Sequence, residues 1–87
     1  MTEVYALIPR CGRKSYYGKA NVILENGIIK LKSYQTIVCS YNRDTGHFSR
    51  LWGGYSATTM RHINSFIKEI GISGGGKKWW DSLPVER

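Results

Sequence analysis

Residues 20–33 read ANVILENGIIKLKS, and this stretch decides the fold. Asn-Gly between two β-rich runs is the preferred two-residue hairpin turn, because both central residues must take positive φ. With Asn26-Gly27 as the loop, Leu24 lies opposite Ile29 and Val22 opposite Leu31. Those four share one face, and Ile23, Lys30, Asn21 and Lys32 share the other. One apolar face and one mixed, basic face is the pattern of an antiparallel sheet covered on one side.

Outward from the hairpin, residues 3–9 (EVYALIP) read as a strand closed by Pro9, and residues 10–19 (RCGRKSYYGK) as a basic loop. Strand character resumes after the hairpin, giving a run over 28–41 with room for a break near Ser33. RDTG supplies the next turn, and 47–52 (HFSRLW) a further strand, with Tyr41, Phe48 and Trp52 placed to pack together. Gly53-Gly54 end it.

In YSATTMRHINSFIKEIG, residues Met60, Ile63, Phe66, Ile67 and Ile70 fall in one arc at helical spacing, with Thr58, Arg61, Ser65 and Lys68 outside it. Ser56 is a suitable N-cap and Gly71 a suitable left-handed C-cap, so a helix is predicted over 56–70. The expected fold is α+β: an antiparallel sheet of about four strands (3–9, 19–25, 28–41, 47–52) with one C-terminal helix on one face. A single domain over 1–87 is expected, with a core at 3–71, a flexible Gly-rich linker at 72–76 and a basic aromatic tail at 77–87.

Composition bounds the function. The 87 residues carry 13 Lys and Arg against 6 Asp and Glu, a formal charge of +7. The isoelectric point is near 9.7. A small domain this basic has the electrostatic footprint of a nucleic-acid binder. No signal peptide or membrane span is read from the chain, so a cytoplasmic setting is expected, with Cys11 and Cys39 as reduced thiols.

Few constellations suggest catalysis. Gly71, Gly76 and Lys77 imitate a phosphate loop, but a helix precedes them, where that loop follows a strand, and Lys78 stands where Ser or Thr would hold magnesium. A helix cap followed by a linker explains the glycines better. Cys11 or Cys39 with His47 or His62 has no catalytic signature around it, and the spacings match no compact metal site. No catalytic residue, metal or cofactor is expected, so the chain reads as a non-enzymatic protein.

The stronger pattern interleaves cations with aromatics. Arg10, Arg13, Lys14 and Lys19 surround Tyr16 and Tyr17; Lys30 and Lys32 line the non-core face of the hairpin; Arg61 and Lys68 lie on the open side of the helix; Lys77 and Lys78 precede Trp79 and Trp80. Cations bind phosphates with counterion release, and exposed aromatics stack bases. These twelve cations and tyrosines are the candidate nucleic-acid-binding residues. Phe48, Trp52 and Tyr55 are expected in the core, whereas Trp79 and Trp80 could serve either core or partner.

SYYGKANVI (15–23), LKSYQTIVCSYN (31–42), RLWGGYSATTMRHINSFIKEIGI (50–72) and KKWWDSL (77–83) resemble a family of short uncharacterised proteins from Gram-positive bacteria, their phages and other mobile elements. The resemblance spans about residues 14–83, with Leu51–Phe66 the most specific block, and draws attention to Trp52, Tyr55, Ser56, Thr59 and His62. It implies a phage or mobile-element setting and no particular activity.

Three functions are therefore expected, in this order: a binder of nucleic acid or a nucleoprotein complex; a phage inhibitor of a host defence nuclease, anti-CRISPR-like, acting by protein binding; and a small ribonuclease or toxin using His47 and His62. An exposed edge strand at 3–9 or 47–52 could also pair two copies into a homodimer.

Overall fold

The computed structural model describes residues 2–7 and 19–86. Arg10, Arg13, Lys14, Tyr16 and Tyr17, together with Cys11, lie outside the described residues. Five strands, β1 (Thr2–Ala6), β2 (Ala20–Glu25), β3 (Ile28–Ser33), β4 (Thr36–Asn42) and β5 (Phe48–Arg50), form an antiparallel meander in sequence order. They precede helix α1 (Ala57–Ile70) and a short helix α2 (Lys77–Ser82).

The hairpin folds as its residues dictate. Asn26 (φ 50°) and Gly27 (φ 80°) both take positive φ. Leu24 pairs with Ile29, Val22 with Leu31, Ile23 with Lys30 and Asn21 with Lys32. The run expected over 28–41 is two strands. Ser33 pairs with Thr36 across Tyr34-Gln35, and Tyr34 takes φ 56°. The reversal is fastened by the Tyr34 amide donating to the Lys19 carbonyl at 2.7 Å. The sheet therefore has five strands rather than about four. Further along, the β3–β4 register shifts beside Leu31 and Lys32, so the adjacent Val38 and Cys39 are both buried.

Helix α1 covers the face carrying Val22, Leu31 and Cys39. Ser56 caps its start by accepting from the Thr59 amide, and Gly71 ends it at φ 83°. Met60, Ile63, Phe66 and Ile67 are buried in the core. Ser65, expected outside the apolar arc, is buried as well.

The tail is where the expectation changes most. Residues 77–82 are helical, and Trp80 is fully buried within the core cluster. Trp79 is partly buried, its ring 5.5 Å from Phe48, a core-side residue of β5 paired with Tyr41. The glycine run is fastened rather than slack. The Gly76 amide donates to Asn64 Oδ1 at 3.2 Å. A Cβ on Gly74, at φ 142°, would lie 2.5 Å from the Trp79 ring. These glycines therefore have a packing role, which a phosphate-binding role is not needed to explain.

Arg50 holds this assembly together from the core side of β5, opposite Cys39. Its guanidinium is buried and donates only to carbonyls: Nε to Trp52 (3.0 Å), Nη1 to Trp80 (2.7 Å) and Leu83 (3.2 Å), Nη2 to Gly53 (3.1 Å) and Gly54 (3.4 Å). It also lies 4.5 Å from the Trp80 ring centroid. Two of those carbonyls belong to the end of α2, where helical carbonyls lack intrahelical partners. The Trp80 indole returns a bond to the Gly54 carbonyl at 2.9 Å.

Candidate nucleic-acid interface

Alternation along the strands sends every second residue to the side away from α1. Paired residues share a side, which places Val4, Ile23, Lys30, Ser40 and Ser49 in one row across the sheet. Beside it lies a second row of Ala6, Asn21, Lys32 and Ile37. Neither helix covers this outer face. Lys30 and Lys32 stand two residues apart on β3, the middle strand of the five, where a backbone crossing the sheet would meet both. Glu25, in the adjoining row with Thr2 and Ile28, lies 3.8 Å from Lys30 Nζ. Half-exposed surface ion pairs of that length contribute little and are readily exchanged for a phosphate.

Lys19 extends the basic surface at one end of β2. Its ammonium lies 5.9 Å from the centroid of the Tyr34 ring, and Tyr34 is exposed. Tyr34 was not among the candidates read from the sequence. Its left-handed backbone turns it out of the strand, and its ring leans on His62 at 5.9 Å. A lysine beside an exposed ring offers a charge for phosphate and a face for a base.

The remaining described candidates lie elsewhere. Arg61 and Lys68 are exposed on α1, and Lys77 and Lys78 are exposed on α2, which packs its tryptophans on the same side of the sheet as α1. The sheet therefore separates them from Lys30 and Lys32, and the candidates read from the sequence do not form one surface. Lys77 is engaged locally, 2.7 Å from Asp81 and 5.4 Å from the Tyr55 ring. The hydrogen bond to Asp81, and then its negative charge, raise the Lys77 pKa. Tyr55, expected in the core, is exposed.

The histidines occupy unlike surroundings. His62 is buried on α1, with Nδ1 2.8 Å from Ser33 Oγ, which in turn lies 3.1 Å from Thr59 Oγ1. This network ties the helix to the end of β3 and satisfies polar groups that burial would otherwise penalise. His47 is exposed and lies 2.9 Å from Glu86. Among the described residues, no group of three or more His, Cys, Asp and Glu is placed to hold a metal. No helix there is long and apolar enough to cross a membrane.

Cys39 is a free, fully buried thiol, and burial raises its pKa far above the ordinary thiol range. Only the thiolate is strongly nucleophilic. In a Cys11→Ser background, Cys39 is expected to resist alkylation at pH 8 in the native protein and to react at once in denaturant. Native labelling at the denatured rate, read by mass spectrometry, would contradict its place in the core.

A family model matches residues 7–82, nearly the whole chain. The chain belongs to DUF8033, a family of unknown function. No curated protein and no solved structure matches it. The DUF8033 match takes in the open face from β2 to β5, the Arg50 anchor and α2, so the family pattern includes the tail as well as the sheet.

Proposed function

We propose that this DUF8033 protein is a non-enzymatic binder of nucleic acid or of a nucleoprotein complex, using the outer face of its sheet. The observation that carries the reading is the alternation of Lys30 and Lys32 on the uncovered face of the middle strand; Lys19 and Tyr34 lie together at the end of β2 and β3, where the Tyr34 ring also meets His62 of α1. Those lysines hold phosphates, and Tyr34 offers a face for one base. The net charge of +7 adds long-range attraction. Arg10, Arg13, Lys14, Tyr16 and Tyr17 belong to the same proposal as the sequence that joins β1 to β2. The described residues that flank them in sequence are Leu7, whose amide bonds the Ala20 carbonyl, and Lys19. Arg61, Lys68, Lys77 and Lys78 form a separate basic side that is not required for this contact. A cytoplasmic, phage or mobile-element setting is part of the proposal, carried by the sequence resemblance.

The test is a mobility-shift titration with mixed-sequence single- and double-stranded DNA and RNA of about 20 nucleotides. Binding is expected at 50 mM salt and should weaken steeply by 200 mM as released counterions accumulate. Failure to retard any of these at low salt would sink the reading.

A second reading has its own observation. The outer face also carries Ile23, Ile28 and Ile37, with Val4 62% exposed. An apolar surface with two lysines suits an acidic protein patch as well as a phosphate chain, which favours a phage inhibitor of a host defence nuclease. Capture of such a nuclease from nuclease-treated lysate, lost on Ile23→Ser but retained in high salt, would favour this second reading.

A further inference from the structure

The two edges of the sheet are finished differently. Along β5, Val85 bridges to Arg50, and the Glu86 amide donates to the Arg50 carbonyl at 2.6 Å. His47 holds Glu86 in place at 2.9 Å. Among the described residues no strand lies beyond β1, so its outer side is the sheet's other edge. All five residues of β1 are exposed, and it pairs with β2 in continuous register, without a bulge. Proteins usually guard such an edge with lysine, proline or a bulge, and TEVYA has none of them.

Backbone parity shows which groups are on offer. The Leu7 amide donates to the Ala20 carbonyl, so with a period of two Tyr5 and Glu3 also direct their amides and carbonyls at β2. Thr2, Val4 and Ala6 therefore turn theirs to the open edge.

We infer that this edge takes the β1 of a second copy, antiparallel, about a two-fold axis through Val4. Centred there, Val4 faces Val4, Thr2 faces Ala6 and Glu3 faces Tyr5. Every outward amide then meets an outward carbonyl, giving six backbone hydrogen bonds at most. The charges agree with that register. The two Glu3 carboxylates are not opposed, and each faces a phenol ring. The strands nearest the axis, TEVYA and ANVILE, contain two acidic residues and no lysine or arginine. Among these two strands, then, no cation faces its own copy across the junction.

Side chains on one side of the sheet stay on one side across the junction. The outer faces of the two copies become one ten-stranded surface, with the two Lys30 rows five strand spacings apart, about 24 Å. The pairing is inferred from the edge alone and does not depend on what the outer face binds. An interface this narrow is below the size of a stable obligate dimer, so association is concentration-dependent.

The experiment is light scattering behind size exclusion, together with sedimentation equilibrium, from about 10 µM to about 1 mM chain. The mass of the intact protein is expected to rise from 9.9 kDa towards twice that value. Val4→Pro removes an amide that points outward and leaves the bonds to β2 in place, as edge strands tolerate. Val4→Lys opposes two ammonium groups at the axis. Both variants are expected to stay monomeric at about 1 mM with circular dichroism like that of the parent. A parent that stays monomeric throughout, or folded Val4→Lys that dimerises as the parent does, would overturn the inference.

Discussion

Alanine in place of Arg50 is expected to lower stability by about 3–4 kcal/mol. The guanidinium reaches five carbonyls and one indole face, and none of its partners is a carboxylate. Its removal deletes all five of these contacts, leaving the Trp80 carbonyl with the Leu83 amide alone and the Gly54 carbonyl with the Trp80 indole alone, and a hydrogen bond from a charged donor contributes about 1.5–3 kcal/mol. The losses are not additive, because the Gly53-Gly54 turn and the end of α2 can each relax towards water once released. A domain of 87 residues has about 4–13 kcal/mol of stability in all. The melting temperature should therefore fall by about 15–25 °C. Arg50→Lys is expected to recover less than half of the loss, since three donors on one nitrogen cannot span five carbonyls. Thermal and urea melts measure both. A change within 1 kcal/mol for Arg50→Ala would show that the tail is not pinned as described.

Trp80→Ala should cost about as much, roughly 3–5 kcal/mol, for a different reason. Trp80 is completely buried, so truncation opens a large cavity among core residues. The indole donor to Gly54 and the ring under Arg50 are lost with it. Phenylalanine at this position refills most of the volume and keeps a ring face for Arg50, so Trp80→Phe should lose about half as much. Trp79→Ala is expected to be milder, since Trp79 is only partly buried. If Trp80→Ala melts with the parent, the tail helix is not part of the core.

These two residues also show where the sequence was and was not legible. The hairpin could be read to single-residue register because Asn26-Gly27 leaves little choice of turn, and its alternation then assigns every side chain to a face. The caps of α1 were legible because Ser56 and Gly71 each have one chemical role there. Arg50 was not singled out, although a signal was present. Phe48 and Trp52 were both placed in the core, and period-two alternation puts Arg50 on their side.

The turn at Tyr34-Gln35 was legible only as a break near Ser33, not as a chain reversal. Neither residue is a usual turn former, and the left-handed Tyr34 is held by a bond to the distant Lys19 carbonyl. Helix α2 is only six residues long and follows three glycines. Local propensity cannot announce such a helix, which depends on burying Trp80. The candidate site was legible only in part. Lys30 and Lys32 were correctly placed on the non-core face by the hairpin. Which other cations would share their side depended on tertiary placement, and Arg61, Lys68, Lys77 and Lys78 fell on the other.

The central claim is that the outer sheet face, rather than the helix layer, meets phosphates. The direct measurement is the salt dependence of nucleic-acid affinity for the parent and two neutralised variants. Lys30→Gln with Lys32→Gln is expected to reduce the slope of log affinity against log salt by about 1.4 on single strands or 1.8 on duplex, the loss of two phosphate contacts. Lys68→Gln with Lys78→Gln removes the same charge from the helix layer and is expected to leave the slope unchanged. Equal losses from the two pairs, or a loss confined to Lys68 and Lys78, would contradict the account.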